Sequence, residues 1–470
     1  MTVHDFAAIA PLLILSAAPV AVMLVIAVRR SHAASFALSA GALAAALLCL
    51  PLAASCSPRQ VTPLLVVDAY TLFFAALILL AGLSVLLLSH DYLRIHEERR
   101  EEFYVLLLTA CLGSVIVAAS RHFASFFLGL EALSVSLYVL IAYLRINASC
   151  IEAGLKYLIL AAFSSAIMLF GMALVYRHSG TLALAGLSPA EGAAEPALLA
   201  GAVLIVVGIG FKLAVVPFHM WAPDIYEGAP APVAGFVAAV SKGSVFAFLL
   251  RWLLEPTAAG DGPLGAIFTG IAVLSMFAGN LLALFQDNVK RMLAYSSIAH
   301  MGYLLVAFLA SGPRRVMACL FYLAAYFVTT LGAFGVITVL SDKERDADAL
   351  EDYRGLFSRR PWIAGVFTAM LLSLAGIPLT AGFIGKFFML AAGVASGRWL
   401  LAASLIVTSG IGLFYYLRVL AVLYMPAAPA VDVPVRPLGT LALAALVALL
   451  VGLGVYPGLL TDWIPAMAIR

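Results

Sequence analysis

Fourteen mostly apolar stretches, each close to the length of about 20 residues that a membrane helix needs, divide this sequence almost from end to end. They lie near 8–28, 33–54, 68–89, 103–119, 122–144, 154–177, 198–220, 230–253, 264–285, 290–310, 316–340, 362–396, 399–424 and 438–460. Apolar residues make up 64% of the chain and charged ones 11%, against roughly 45–50% and ~25% in ordinary globular domains. In water such a surface would be one continuous adhesive patch. In hydrocarbon, backbone groups must be satisfied within the segment, so the spans are helices. The expected fold class is therefore an all-α polytopic membrane protein. The longest polar stretch, 341–361, leaves no room for a separate soluble domain. The first span lacks the basic lead and cleavage pattern of a signal peptide and is expected to be retained. A formal net charge of +3 from scattered basic residues gives no footing for nucleic acid.

Orientation is read from Lys and Arg in the loops. Loops after odd-numbered spans hold 15 of them, including Arg29, Arg30, Arg99, Arg100, Lys290, Arg291, Arg345 and Arg436. Loops after even-numbered spans, with the C-terminal tail, hold eight, including Arg59, Arg121, Arg251 and Arg470. The bias predicts both termini on the non-cytoplasmic side.

The five cysteines are far apart and form no C-x-x-C pair, so they supply neither a zinc nor an iron–sulfur ligand set. Gly208 and Gly210 lack the third glycine and the flanking strand of a dinucleotide fingerprint. No metal or cofactor site is expected in this chain.

The charges left inside the spans are informative. Lys156, Lys212, Lys242 and Lys386 lie at or within spans, whereas nearly every loop cation is Arg. A guanidinium does not lose its proton in a protein, but a lysine amine can. Residues of this kind face a bundle interior or a wet cavity and mark a pathway. Glu131, in L-G-L-E-A-L-S-V-S-L-Y, is the one acid at mid-span, with Lys212 as its natural partner. A fixed ion pair that only sets helix register is the plainer alternative. Lys156 lies near a helix start and could instead snorkel to the interface. His219 and His300 sit in apolar surroundings, where they would serve either packing or proton transfer. Several serines and threonines, Ser134, Ser165, Ser297 and Ser409 among them, could hold bridging waters.

Two lysine-bearing helices are also interrupted. Pro217 follows Lys212, and Gly376, Pro378, Gly382 and Gly385 precede Lys386. Paired broken helices in two halves point to a transporter's ion site. Span 7 is third in spans 5–9 and span 12 is third in 10–14, which suggests a five-helix repeat.

The segments L-E-A-L-S-V-S-L-Y-V-L-I-A-Y, E-A-G-L-K-Y, G-F-K-L-A-V-V-P-F-H-M-W-A-P-D-I-Y-E-G-A-P-A-P, Q-D-N-V-K-R-M-L-A-Y-S-S-I-A-H-M-G-Y and L-A-G-I-P-L-T-A-G-F-I-G-K-F run from about Leu128 to Phe388. In them the chain resembles the N-type antiporter-like membrane subunits of NADH-quinone oxidoreductase, respiratory complex I. Lys386, where the M-type looks to carry Glu, and the absence of a long lateral helix after span 14 suit the N-type. The resemblance implies 14 helices in two inverted five-helix repeats, with helices 7 and 12 discontinuous. It places helices 1–3 at 1–100 as peripheral, the first repeat (helices 4–8) at 101–255, the second (9–13) at 256–425 and helix 14 at 426–470, one helix earlier than the repeat suggested above.

The resemblance further implies a proton relay: Glu131 as gating carboxylate, Lys212 its partner, Lys242 the central residue and Lys386 the carrier toward the exit. Lys156, His219 and His300 would be auxiliary. NADH, FMN, iron–sulfur clusters and quinone would belong to partner subunits, making this a non-redox subunit of a proton-pumping translocase. M-type and K-type subunits would be its neighbours in a bacterial inner membrane. An Mrp-type cation/proton antiporter or a membrane-bound hydrogenase is the alternative. A sodium site would need oxygen ligands, and Glu131 is the one carboxylate at mid-membrane.

Overall fold

The computed structural model describes residues 2–96, 99–145, 147–184, 196–254, 262–312, 314–426 and 436–464. Arg470 and the expected repeat boundary at 255 and 256 lie outside them. Sixteen helices build the fourteen spans. They are α1 (Ala10–Val28), α2 (His32–Ser55), α3 (Ala69–His96), α4 (Glu101–Ala119), α5 (Phe123–Ile141), α6 (Ala148–Ser179), α7 (Pro196–Leu213), α8 (Trp221–Gly228) and α9 (Ala231–Trp252). Then follow α10 (Pro263–Ala283), α11 (Val289–Phe308), α12 (Arg314–Leu340), α13 (Pro361–Ala375), α14 (Ala381–Ala395), α15 (Trp399–Leu423) and α16 (Pro437–Val455). Among the described residues, twelve helices are long and apolar enough to cross a membrane. The other two spans are α11 and the pair α13–α14.

Loop contacts sort the chain ends into two faces. Arg121 N donates to Leu64 O at 3.0 Å, Phe123 N to Leu182 O at 2.8 Å and Ser311 N to Ser396 Oγ at 2.8 Å; all join loops after even-numbered spans. Val289 N donates to Asp348 O at 2.6 Å, Leu350 N to Asp287 O at 3.0 Å and Gly355 N to Val422 O at 3.2 Å, joining loops after odd-numbered ones. Among the described loops, this segregation fits crossings that alternate from span to span.

The centre of the bundle is α9 and α12, whose apolar stretches are wholly buried. The helix α3 packs against both and is itself largely buried, whereas α1 and α2 lie at the edge. An internal repetition is visible in the backbone. A Cβ added at Gly113 on α4 would lie 2.6 Å from Gly129 O and 2.7 Å from Leu133 N on α5. At Gly279 on α10 it would lie 2.7 Å from Tyr295 O and 2.6 Å from Ala299 N on α11. The partners stand at the same sequence spacing from the glycine in both cases, so the two helix pairs use one packing device.

Both expected breaks are present. Span 7 stops at Leu213 and resumes as α8, which carries W-A-P-D-I-Y-E-G as buried helix. From the sequence the segment falls between spans 198–220 and 230–253; its apolar face, with Trp221, Ile225 and Tyr226, packs inward and decides the conformation. Span 12 stops at Ala375 and resumes at Ala381. Ala214 (φ 54°) and Leu379 (φ 72°) take left-handed backbone at the two breaks, a conformation that costs a residue with a Cβ about 1–2 kcal/mol. A third irregularity is a π-helical turn in α9, Val237–Ser241, directly before Lys242.

Candidate functional site: a buried row of amines

Each interruption frees backbone groups that must find partners. At the first, Trp221 Nε1 donates to Phe211 O at 2.9 Å, and Val216 N donates to Ser275 Oγ of α10 at 2.9 Å. At the second, Lys386 itself is the partner: its Nζ donates to Leu374 O and Ala375 O, both at 2.9 Å, and to Ser409 Oγ at 2.9 Å. The ammonium thus sits at the carbonyl end of α13, where the helix dipole favours positive charge. Lys212 occupies the last turn of α7 in the same sense.

Lys212, Lys242 and Lys386 are all buried. Lys212 Nζ donates to Ser134 Oγ at 2.9 Å. Glu131 lies one turn before Ser134 on α5, half-buried, and accepts from Ser165 Oγ of α6 at 2.7 Å. Among the described residues Glu131 and Lys212 make no direct ion pair; two serines hold them apart, each on its own helix. Lys242 Nζ donates to Ser297 Oγ at 2.7 Å and stands 5.5 Å from the centre of the Tyr226 ring. None of the three amines has a carboxylate within ion-pair distance among the described residues.

Between Lys242 and Lys386 runs a chain of hydroxyls and one imidazole. Ser296, next to Ser297, is hydrogen-bonded to the Tyr416 hydroxyl. His300 Nε2 is 3.2 Å from the same hydroxyl, and His300 Nδ1 is 2.5 Å from the Tyr322 hydroxyl. A neutral imidazole donates from one nitrogen and accepts at the other, so His300 can take a proton on one side and release it on the other. The Tyr303 ring lies 5.4 Å from His300 and 5.1 Å from Lys386 Nζ. From Lys212 to Lys242 the link is aromatic, through Tyr157, Trp221 and Tyr226. His219 falls in the break of span 7, buried, with no partner for Nδ1 among the described residues.

Lys156 stands apart from this row. Its side chain is half exposed and pairs with Glu152 at 2.7 Å and Asp224 at 3.4 Å. It lines a cavity of about 560 Å³ on the odd-loop face, together with Arg291, Glu227, Lys290 and Asp346. Two cations expected in loops, Lys290 and Arg251, are buried. Lys290, in the first turn of α11, pairs with Asp346 at 2.7 Å, and Arg251, within α9, pairs with Asp68 at 2.8 Å. Their partners lie 56 and 183 residues away in sequence. Tyr157, Tyr226, Tyr303, Tyr322 and Tyr416 do not stand out in the sequence; a hydroxyl inside an apolar span needs a partner, and that is the available signal.

A family profile described as NADH:quinone oxidoreductase/Mrp antiporter, transmembrane, matches residues 120–412. The NADH-quinone oxidoreductase subunit N of Methylococcus capsulatus is 50% identical over 98% of this chain and 95% of that protein. That of Ectopseudomonas mendocina is 47% identical over 97% and 95%. Among solved structures, a chain of respiratory complex I from Thermus thermophilus with bound aureothin superposes with a TM-score of 0.83 at 34% identity, covering 96% of this chain and 98% of that one. A chain of the Mrp complex from Dietzia shares the fold alone, with a TM-score of 0.87 at 21% identity over 100% and 97%. With its broken helices and buried lysines, the chain belongs to the NADH-quinone oxidoreductase subunit N family of antiporter-like membrane proteins.

Proposed function

We propose that this chain is a proton-translocating membrane subunit of an NADH-quinone oxidoreductase and has no redox centre of its own. Protons move along the row Lys212, Lys242, His300 and Lys386, while NADH oxidation and quinone reduction, with FMN and iron–sulfur clusters, belong to partner subunits. The observation that carries this reading is the set of three buried amines held by hydroxyls and carbonyls rather than by carboxylates. Retaining unpaired charge there is costly, and a static scaffold has no use for it.

Glu131 acts as the gate. When its carboxylate approaches Lys212, the proton is held on that amine; when it withdraws toward Ser165, the proton leaves along a water chain toward Lys242. His219, whose Nδ1 has no partner among the described residues, lies in the break beside that gap. His300 passes the proton between Tyr416 and Tyr322, and Lys386 delivers it toward the exit. Lys156, at the cavity, serves proton uptake rather than the central row.

The same reading places two inverted five-helix repeats at 101–255 and 256–425, supported by the recurring Gly113 and Gly279 contacts. Residues 1–100 and 426–470 flank them. Both termini face away from the cytoplasm of a bacterial inner membrane, so the cavity opens to the cytoplasmic side, and M-type and K-type subunits are the neighbours. The test is Glu131→Gln in the assembled complex, reconstituted in vesicles. The ratio of protons pumped to electrons transferred should fall; an unchanged ratio removes Glu131 from the relay.

A further inference from the structure

The π-helical turn Val237–Ser241 puts one extra residue into a turn of α9. The helix beyond it is therefore rotated relative to a regular α-helix, and Lys242 is the first residue beyond it. Where the amine points depends on where that turn sits and on how the two ends of α9 are held. Both ends are held, and the same helix takes part at each.

At the start of α9, Asp346 Oδ2 accepts from Ala231 N at 3.1 Å and from Lys290 Nζ at 2.7 Å, and Lys290 Nζ also donates to Ala229 O at 2.7 Å. The other oxygen of Asp346 accepts from the Tyr92 hydroxyl at 2.8 Å, near the C-terminus of α3. At the far end, Arg251 grips Asp68 with two nitrogens at 2.8 and 2.9 Å and donates to Thr71 Oγ1 at 2.8 Å. The Tyr70 hydroxyl donates to Ala247 O at 2.7 Å. Asp68 directly precedes α3, and Tyr70 and Thr71 lie in its first turn. At 1.5 Å per residue, Ala231 to Arg251 and Thr71 to Tyr92 each span about 30 Å. The rungs are matched in spacing along two antiparallel helices.

We propose that α3 is a fixed rail that sets the rotation and axial position of α9, and that Asp346 and Arg251 are positioning residues that aim Lys242 at Ser297. Losing the π-turn would rotate one end of α9 against the other, and clamps at both ends oppose that, so the extra residue and the direction it gives Lys242 are retained. The inference rests on the relay reading of Lys242.

The experiment measures protons pumped per electron in vesicles containing the assembled complex. The variants are Asp346→Asn, the milder Tyr92→Phe and Tyr70→Phe pair, and Asp346→Glu as the conservative rescue, with Lys242→Ala alone and combined with Asp346→Asn. Asp346→Asn should lower the ratio to the value of Lys242→Ala, the double variant should fall no further, and Asp346→Glu should recover most of the loss. A purely structural role would lower the amount of complex without changing the ratio in what remains, and that outcome overturns the proposal. If Asp346→Asn does not assemble, the Tyr92→Phe, Tyr70→Phe double variant decides: a wild-type ratio overturns the proposal. Lys242→Ala with a wild-type ratio defeats the relay reading and this inference together. A lowered ratio in Lys242→Ala beside unaffected clamp variants defeats the inference alone.

Discussion

Two buried cations on the same helix, α9, should respond differently to the same substitution. Lys242 is wholly buried on α9 and has one hydroxyl partner, Ser297. A charge at the centre of a membrane bundle costs about 2.5–3.5 kcal/mol on insertion scales, and a hydrogen bond to a charged group returns about 1.5–3 kcal/mol. Lys242→Met, close in length and apolar, removes both. The balance leaves the folded subunit between unchanged and about 2 kcal/mol more stable. Arg251 is equally buried but grips Asp68 with two nitrogens. Arg251→Met strands that carboxylate, a loss of about 3–5 kcal/mol. Thermal denaturation of the purified complex, together with its content in the membrane, reads both values. A Lys242→Met variant destabilised as strongly as Arg251→Met would mean that the lysine has a structural counter-charge, and the reasoning from an unpaired amine would fail.

Other expectations are more local. Gly376 has φ +84°, and a Cβ there would lie 2.8 Å from Lys386 Cδ and 3.2 Å from Nζ; Gly376→Ala should cost about 1–2 kcal/mol and push the amine off Leu374 O and Ala375 O, so pumping should fall more than complex content. Tyr322→Phe removes one of the two partners of His300 and should slow proton transfer several-fold while leaving quinone reduction by an uncoupled complex intact; equal rates in both assays would show that the hydroxyl is only packing. Burial works to raise the Asp346 carboxyl, but Lys290 and the hydroxyls of Tyr92 and Ser341 outweigh it and hold the group below its ordinary range. Its contribution to stability is therefore complete above the unfolded carboxylate value of about 3.9 and is lost as pH falls through the lower folded value. The stability difference between wild type and Asp346→Asn should be constant from pH 8 to 5 and shrink only below about pH 4; a difference that fades near neutrality would contradict the pairing.

The sequence carried the spans, their breaks and the three central lysines because each is a local signal. Apolar length marks a helix, Pro and Gly mark an interruption, and a lysine in an apolar run has few explanations. What it did not carry was long-range pairing. Lys290 and Arg251 looked like loop cations because Asp346 and Asp68 stand far off in the chain, and only packing brings them together. The π-helical turn before Lys242 left no mark in V-A-A-V-S, and α3 looked undistinguished because its role lies in Asp68 just ahead of it and in Tyr70 and Tyr92 at its ends. Glu131 and Lys212 are expected from the sequence to pair directly, but Ser165 and Ser134 take their places as partners, an outcome set by helix rotation that the sequence does not fix.

The central claim is that Lys242, the middle amine of this row, gains and loses a proton as the complex turns over. Redox-triggered infrared difference spectra of the reconstituted complex, with and without lysine labelled with heavy nitrogen, test it most directly. A lysine band that shifts with the label and disappears in Lys242→Gln is the expected result. A spectrum with no label-sensitive band, or one that persists unchanged in that variant, would mean that Lys242 keeps a single protonation state throughout.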